Sequence, residues 1–207
     1  PTGKRRGRLK VFLGYASGVG KSFRMLDEGR RRKERGEDVV VAAIQPTISS
    51  EVAPLLRFLE FIPQRVVGGV PVMDIPAILE RRPQVCMVDG LAYDNPPGSP
   101  NAYRYQDVEQ LLVAGVTVIT SINIQHIAEM QKAVEEITGK RVREAVPLAL
   151  IEKADDIVLV DATPEHALQK TGDGASRASV EKQLARLREL ALLLAADIVD
   201  QQLESYL

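Results

Sequence analysis

The chain holds one cysteine, Cys86, and two histidines, His126 and His166, among 207 residues. A single thiol builds neither an internal disulfide framework nor a multi-cysteine zinc site, and it fits a reducing compartment. Two histidines far apart in sequence argue against a histidine-rich metal centre. Charge of one sign is missing too: 27 Lys and Arg stand against 28 Asp and Glu, a net charge of −1. No global field points to nucleic acid or to an anionic membrane, so a partner has to be read from a site. No apolar run reaches the roughly 18–20 residues that cross a bilayer, and no secretory leader pattern opens the sequence. A soluble chain without a membrane span is expected. The first residue is Pro1, as in a processed chain or a piece of a longer one.

What is present is a globular composition, 45% hydrophobic and 27% charged, with length enough to bury a core. At about 150 residues per domain this suits one large domain with an appendage. Residues 1–8 form a basic arm, Lys4, Arg5, Arg6 and Arg8, continued by Lys10; it reads as a solvated tail or as a contact for phosphate or lipid headgroups. Residues 9–171 read as one α/β domain. An apolar strand from Lys10 to Leu13 runs through Gly14, Gly18 and Gly20 into a helix from Ser22 to Arg35, stopped by Gly36. The continuous apolar run Val39 to Ile44 is a strand covered on both faces.

Helices are expected from Glu51 to Glu60 and from Asp74 to Arg81, then a strand from Val85 to Val88. Tyr105 to Ala114 reads as a helix, Val116 to Ile122 as a β-branched strand, Ile127 to Thr138 as a helix closed by Gly139, and Ile157 to Val160 as a short buried strand. The alternation predicts a mostly parallel sheet with helices on both faces. Residues 172–179 are small and polar, a linker. Residues 180–207 carry Leu184, Leu187, Leu190, Leu194 and Ile198 at helical spacing, one amphipathic helix packed on its own protein or a neighbouring domain.

The chemistry is written first in Ser17, Gly18, Val19, Gly20, Lys21 and Ser22, between a strand and a helix. Binding a phosphate chain takes converging backbone N–H donors free of Cβ obstruction, a cation for the β and γ oxygens, and a hydroxyl for Mg²⁺. The two glycines, Lys21 and Ser22 meet these needs in turn, which predicts a P-loop NTPase-like fold binding ATP and Mg²⁺. The alternative is a glycine-rich turn with an exposed lysine. Against G-x-x-x-x-G-K-[ST] the first glycine place falls on Tyr15, with Gly14 one residue early.

A second signal is the apolar Val85-Cys86-Met87-Val88 ending in Asp89, placed to hold Mg²⁺ directly or through water together with Ser22. Taken alone, such an Asp is a turn or cap residue. The place after it, where hydrolytic members of this class carry a water-orienting Glu, holds Gly90. Asn123, Gln125 and His126 follow a strand and suit γ-phosphate sensing or water positioning at the carboxyl edge of the sheet; the alternative is that His126 caps or packs the following helix. His166 reads as a surface residue at a helix start. Cys86 reads as an inert, buried small residue.

Gly14 to Ser22, Val88 to Asn95, Pro97-Gly98-Ser99, Arg104-Tyr105-Gln106-Asp107-Val108 and Asn123-Ile124-Gln125-His126 together resemble the amino-terminal cytoplasmic domain of the KdpD family, bacterial sensor histidine kinases for potassium and osmotic stress. The similarity continues through Ile137-Thr138-Gly139-Lys140-Arg141-Val142-Arg143-Glu144 and Val160-Asp161, and returns in Leu187-Arg188-Glu189-Leu190-Ala191-Leu192. Three departures stand out. The family typically has Glu-Leu-Ala-His-Thr-Asn after the strand-ending Asp, where this chain reads Gly90-Leu91-Ala92-Tyr93-Asp94-Asn95. It also tends to carry Glu-Thr-His-Gly-Arg where this chain reads Gln45-Pro46-Thr47-Ile48-Ser49. The region Gln169 to Ser179 is shorter than the family pattern.

The resemblance implies a cytoplasmic regulatory ATP-binding domain that biases a sensor kinase under potassium limitation or osmotic stress. Its partners would be nucleotide and the other domains of a sensor kinase or a separate kinase, with no nucleic acid. No histidine-kinase dimerisation or catalytic motif occurs in these residues, so no catalytic residue is assigned. Gly90 and the altered 45–49 patch predict weak or no ATP hydrolysis, and Gly90→Glu is expected to raise it if the rest of the site is competent. The rivals are a P-loop ATPase or small-molecule kinase acting in its own right, and a nucleotide-free interaction module.

Overall fold

The computed structural model of the chain describes residues 5–168 and 177–206. The basic arm leads into β1 (Leu9–Gly14), five of whose six residues are buried. The glycine loop then opens α1 (Lys21–Glu34), whose last turn holds Arg31, Arg32 and Lys33 where the helix dipole favours cations. β2 (Val39–Ala43) is buried at every position, as its unbroken apolar run requires. One helical turn, α2 (Ala53–Leu56), leads to β3 (Glu60–Phe61), followed by β4 (Arg65–Val67) and β5 (Val70–Val72). Next come α3 (Ile75–Arg81), capped by the Asp74 side chain on the Ala77 N–H at 3.1 Å, and the fully buried β6 (Val85–Val88). α4 (Arg104–Val113) and β7 (Thr117–Asn123) follow. After two 3-10 turns, Ile124–His126 and Ala128–Met130, come α5 (Gln131–Thr138), α6 (Leu148–Glu152), β8 (Asp156–Leu159), α7 (Pro164–Leu168) and α8 (Arg177–Glu204).

Six strands form a parallel sheet in the order β3-β2-β6-β7-β1-β8, flanked by helices; β4 and β5 pair antiparallel as a separate hairpin. This is the architecture expected of a P-loop-like fold. The chain divides into two units, Pro1–Lys10 with Ser22–Ser121, and Val11–Lys21 with Ile122–Leu207. In the first, β6 lies between β2 and β7, with Cys86 opposite both Val40 and Val118. Gly29 lets α1 close onto this layer, since a Cβ there would stand 2.1 Å from the Met87 sulfur. In the second, the Val160 N–H donates to the Leu13 carbonyl at 2.8 Å, carrying the end of β8 along β1. The stripe Leu184, Leu187, Ala191, Leu194 and Ile198 of α8 is buried, worth about 1.5–3 kcal/mol for each Leu or Ile.

Several expectations are corrected. The helix expected over Glu51 to Glu60 is a single turn. Glu60 and Phe61 pair instead with Val40 and Val41 of β2, and the Ile62 N–H reaches the Val41 carbonyl at 2.9 Å, so the sheet edge takes these residues. The helix expected from Ile127 begins at Gln131. Ile127 is extended, and the Val146 N–H to His126 carbonyl and Ala128 N–H to Val146 carbonyl bonds, 2.7 and 2.9 Å, replace its first turn. α8 starts at Arg177, inside the segment read as a linker; residues 172–176 of that segment lie outside the described residues.

Candidate functional site

β1 delivers the chain into the glycine loop, and α1 begins at Lys21. Gly18 and Gly20 adopt φ of 81° and 98°, the left-handed region that glycine enters without steric cost. A Cβ on Gly20 would meet nothing within 4 Å, so the loop is open on that side. Val19 is buried and anchors the loop, whereas Ser17 is exposed and Lys21 and Ser22 are half-buried. The Lys21 Nζ donates to the Ala16 carbonyl at 3.0 Å.

Gly14 lies beneath the lysine: a Cβ there would stand 2.7 Å from Lys21 Cδ, 3.0 Å from its Nζ and 3.0 Å from Val19 Cγ2, so a side chain at this position would press on the lysine. Tyr15, in the motif's first glycine place, is fully buried and its phenol donates to the Ala162 carbonyl. Burial raises the Tyr15 phenol above its ordinary range, so it stays a donor at neutral pH. No acidic residue occupies the first turn of α1, so none of the helix's own side chains there offsets its positive N-terminal dipole. Open glycine backbone, a lysine and a helix N-terminal hydroxyl are the donor set that a nucleotide's phosphates and Mg²⁺ require. The residues present therefore fit the group.

In the same unit, Asn123 Oδ1 and Gln125 Oε1 are buried acceptors without a hydrogen-bond partner among the described residues. Such a group costs about 1–3 kcal/mol, which a water or ligand donor would recover. The His126 ring is engaged on one side, its Nδ1 lying 3.2 Å from the Glu144 carbonyl. Beyond β8, Asp161 accepts a two-pronged ion pair from Arg188 of α8, with Nη2 to Oδ2 at 2.7 Å. That contact holds the Asp161 carboxyl below the usual carboxylate range. His166 is exposed on α7, as expected.

In the other unit, Asp89 is 1% exposed at the end of β6. Its Oδ1 accepts from Ser121 Oγ at 2.8 Å, and the same Oγ accepts the Gly90 N–H at 2.9 Å, so one serine of β7 sets the carboxylate and the turn after it. Arg104, 8% exposed, donates to the Gly90 carbonyl at 2.7 Å and lies 4.2 Å from the centre of the Tyr93 ring. Burial lowers the Arg104 pKa, and Tyr93, Asp107 and Asp89 act against that shift. The Tyr93 hydroxyl donates to Gln45 Oε1 at 2.7 Å.

Three positions at which this chain departs from the resemblance thus meet in space. A Cβ on Gly90 would stand 2.6 Å from Tyr93 Cε2 and 2.9 Å from Gln45 Nε2, and Gly90 has φ of 92°. Ser22 and Asp89 are not joined by a hydrogen bond. Cys86 is fully buried and its thiol is pushed up to about 12 by burial, which keeps it inert.

Sequence reasoning gave no role to Tyr15, Ser121 or Arg104. Ser121 had a usable signal, a hydroxyl closing a β-branched run. Arg104 and Tyr15 had none, since only tertiary packing places their polar ends.

The chain matches the family described as the osmosensitive K+ channel His kinase sensor domain over residues 5–199. It belongs to the KdpD family. It is 42% identical over 208 residues to the sensor protein KdpD of Mycobacterium tuberculosis, covering 93% of this chain and 24% of that protein. To the sensor protein KdpD of Escherichia coli it is 38% identical over 216 residues, covering 97% of this chain and 24% of that protein. To a putative sensor protein KdpD of Synechocystis it is 40% identical over 212 residues, covering 95% and 57%. The chain therefore spans about a quarter of the length of the first two relatives. Among the described residues no helix is long and apolar enough to cross a membrane.

Proposed function

We propose that this KdpD-family chain is a regulatory nucleotide-binding domain that takes Mg²⁺-ATP on the loop Ser17 to Ser22. Lys21 would meet the β and γ phosphates, and the loop N–H groups would surround the phosphate chain. Ser22 and Asp89 would supply the hydroxyl and carboxylate of the magnesium site, the cation keeping several waters. Among the described residues no three His, Cys, Asp or Glu side chains cluster as a metal cage. The observation that carries the reading is the loop itself, with Gly18 and Gly20 at positive φ directly before Lys21 and Ser22 at the start of α1.

Turnover would be weak or absent, with nucleotide acting as a signal that shifts conformational populations. The filled space beside Asp89 supports this: Tyr93 and Gln45 stand where a side chain at position 90 would project. In the cell the domain would sit in the cytoplasm and bias a sensor kinase under potassium limitation or osmotic stress, through other domains of that kinase or a separate one. The enzymatic reading draws support from Asn123 and Gln125, whose unpartnered oxygens could accept from an attacking water. Calorimetric titration with Mg²⁺-ATP followed by a phosphate-release assay decides. Binding with turnover well below about 1 s⁻¹ fits the regulatory reading, whereas turnover at or above that rate, lost in Lys21→Ala, makes the chain an ATPase.

A further inference from the structure

The glycine loop is connected to α8 by a short chain of hydrogen bonds outside the phosphate-facing groups of the loop. Lys21 donates to Ala16. The next residue back, Tyr15, donates through its buried phenol to Ala162. The residue before Ala162 is Asp161, which Arg188 of α8 holds with two nitrogens. We infer that Tyr15, Asp161 and Arg188 form a clasp by which occupancy of the glycine loop is reported to α8. This rests on the nucleotide-binding reading and names the regulation of that same site.

The bistable element is the Lys21 ammonium. Without ligand it rests on a neutral carbonyl; an anionic phosphate in the loop is the stronger acceptor, because charge-assisted hydrogen bonds are roughly twice as strong as neutral ones. Drawing Nζ away from Ala16 frees the Ala16–Ser17 peptide, one residue beyond Tyr15. Tyr15 cannot adjust alone, since letting go of Ala162 would leave a buried hydroxyl unpaired. Ala162 and Asp161 therefore follow it, and the two-pronged contact transmits the shift to Arg188. Around Arg188, α8 is seated by Leu184, Leu187 and Ala191 on its buried stripe, so a shift there is read as a change in the seating of that helical segment.

Amide hydrogen exchange on the whole chain tests this, with wild type, Lys21→Ala, Arg188→Met and the double variant. Without nucleotide, Lys21→Ala releases the Ala16 carbonyl and should raise exchange across residues 184–191 about fivefold, the population change of one hydrogen bond's net worth, while 198–204 stay unchanged. In the Arg188→Met background the same change should add nothing. With Mg²⁺-ATP, wild type should respond over 184–191, and Arg188→Met should bind within about threefold of wild type yet show no α8 response. No change over 184–191 in Lys21→Ala overturns the clasp whatever the nucleotide does. A response that persists in both Arg188→Met proteins overturns it as well. Lys21→Ala moving α8 in a protein that binds no nucleotide supports the clasp and refutes the nucleotide reading, so the two failures are distinguishable.

Discussion

The glycine at position 90 suits its surroundings in this chain for a reason that can be measured. Its φ of 92° charges an L side chain about 1–3 kcal/mol. A Cβ would also overlap Tyr93 Cε2 at 2.6 Å and Gln45 Nε2 at 2.9 Å. Tyr93 cannot swing aside freely, because its hydroxyl holds Gln45 and its ring packs against the Arg104 guanidinium; overpacking of this kind costs about 1–3 kcal/mol. Gly90→Ala should therefore destabilise by about 2–6 kcal/mol, a large part of the roughly 5–15 kcal/mol that holds a domain together. Urea unfolding with linear extrapolation reads it. The double-mutant cycle with Tyr93→Ala separates the two parts: relieving the overlap should make the double variant more stable than the sum of singles by about 1–3 kcal/mol, the φ cost remaining. A Gly90→Ala loss below about 1 kcal/mol, or no coupling to Tyr93, refutes the reasoning. One consequence bears on turnover: Gly90→Glu displaces Tyr93 and Gln45 before it can aim a water, so by itself it should not raise hydrolysis.

Two further outcomes are expected. Asp89→Asn keeps an acceptor for Ser121 and should retain the fold, while reducing the benefit of Mg²⁺ to nucleotide affinity more than the affinity measured in chelator; equal losses in calorimetry contradict the metal assignment. Arg81 binds Asp38 and Glu60 in one cluster, each at 2.8 Å, and its hydrogen bonds lower both carboxyl pKa values. Folded values below the unfolded ones mean this stabilisation is full above the ordinary carboxyl range, near pH 4, and is lost as pH falls through the folded values. The stability gap between wild type and Arg81→Met should thus narrow on acidification in a pH series of thermal melts; a gap that widens contradicts the sign.

The sheet was legible because its central strands are written as unbroken apolar runs: β2 and β6 needed no context beyond their own residues. Gly36 and Gly139 marked helix ends for the reason glycine always does, by taking positive φ. Residues 51–72 were less legible. Nothing local says that Glu60 and Phe61 prefer the edge of β2 to a helix, since that preference comes from a partner strand far back in the chain. Gly68-Gly69 between Val67 and Val70 was a usable hairpin signal that the helical composition on either side obscured. The glycine loop itself could be read from residue types. The role of Gly14 could not, because it depends on the path of the Lys21 side chain, and the meeting of Gln45, Gly90 and Tyr93 depends on two strand ends being neighbours. Residues that act through local backbone geometry were visible in the sequence; those that act through a distant partner were not.

The central claim is that the loop from Ser17 to Ser22 binds nucleotide phosphates through Lys21. Isothermal calorimetry with Mg²⁺-ATP on wild type and Lys21→Ala tests it most directly, with thermal melts confirming that both are folded. Saturable binding by wild type, weakened by at least tenfold in the variant, about 1.4 kcal/mol, is the predicted result. An equal dissociation constant for the two proteins, or no heat of binding from folded wild type, would contradict the account.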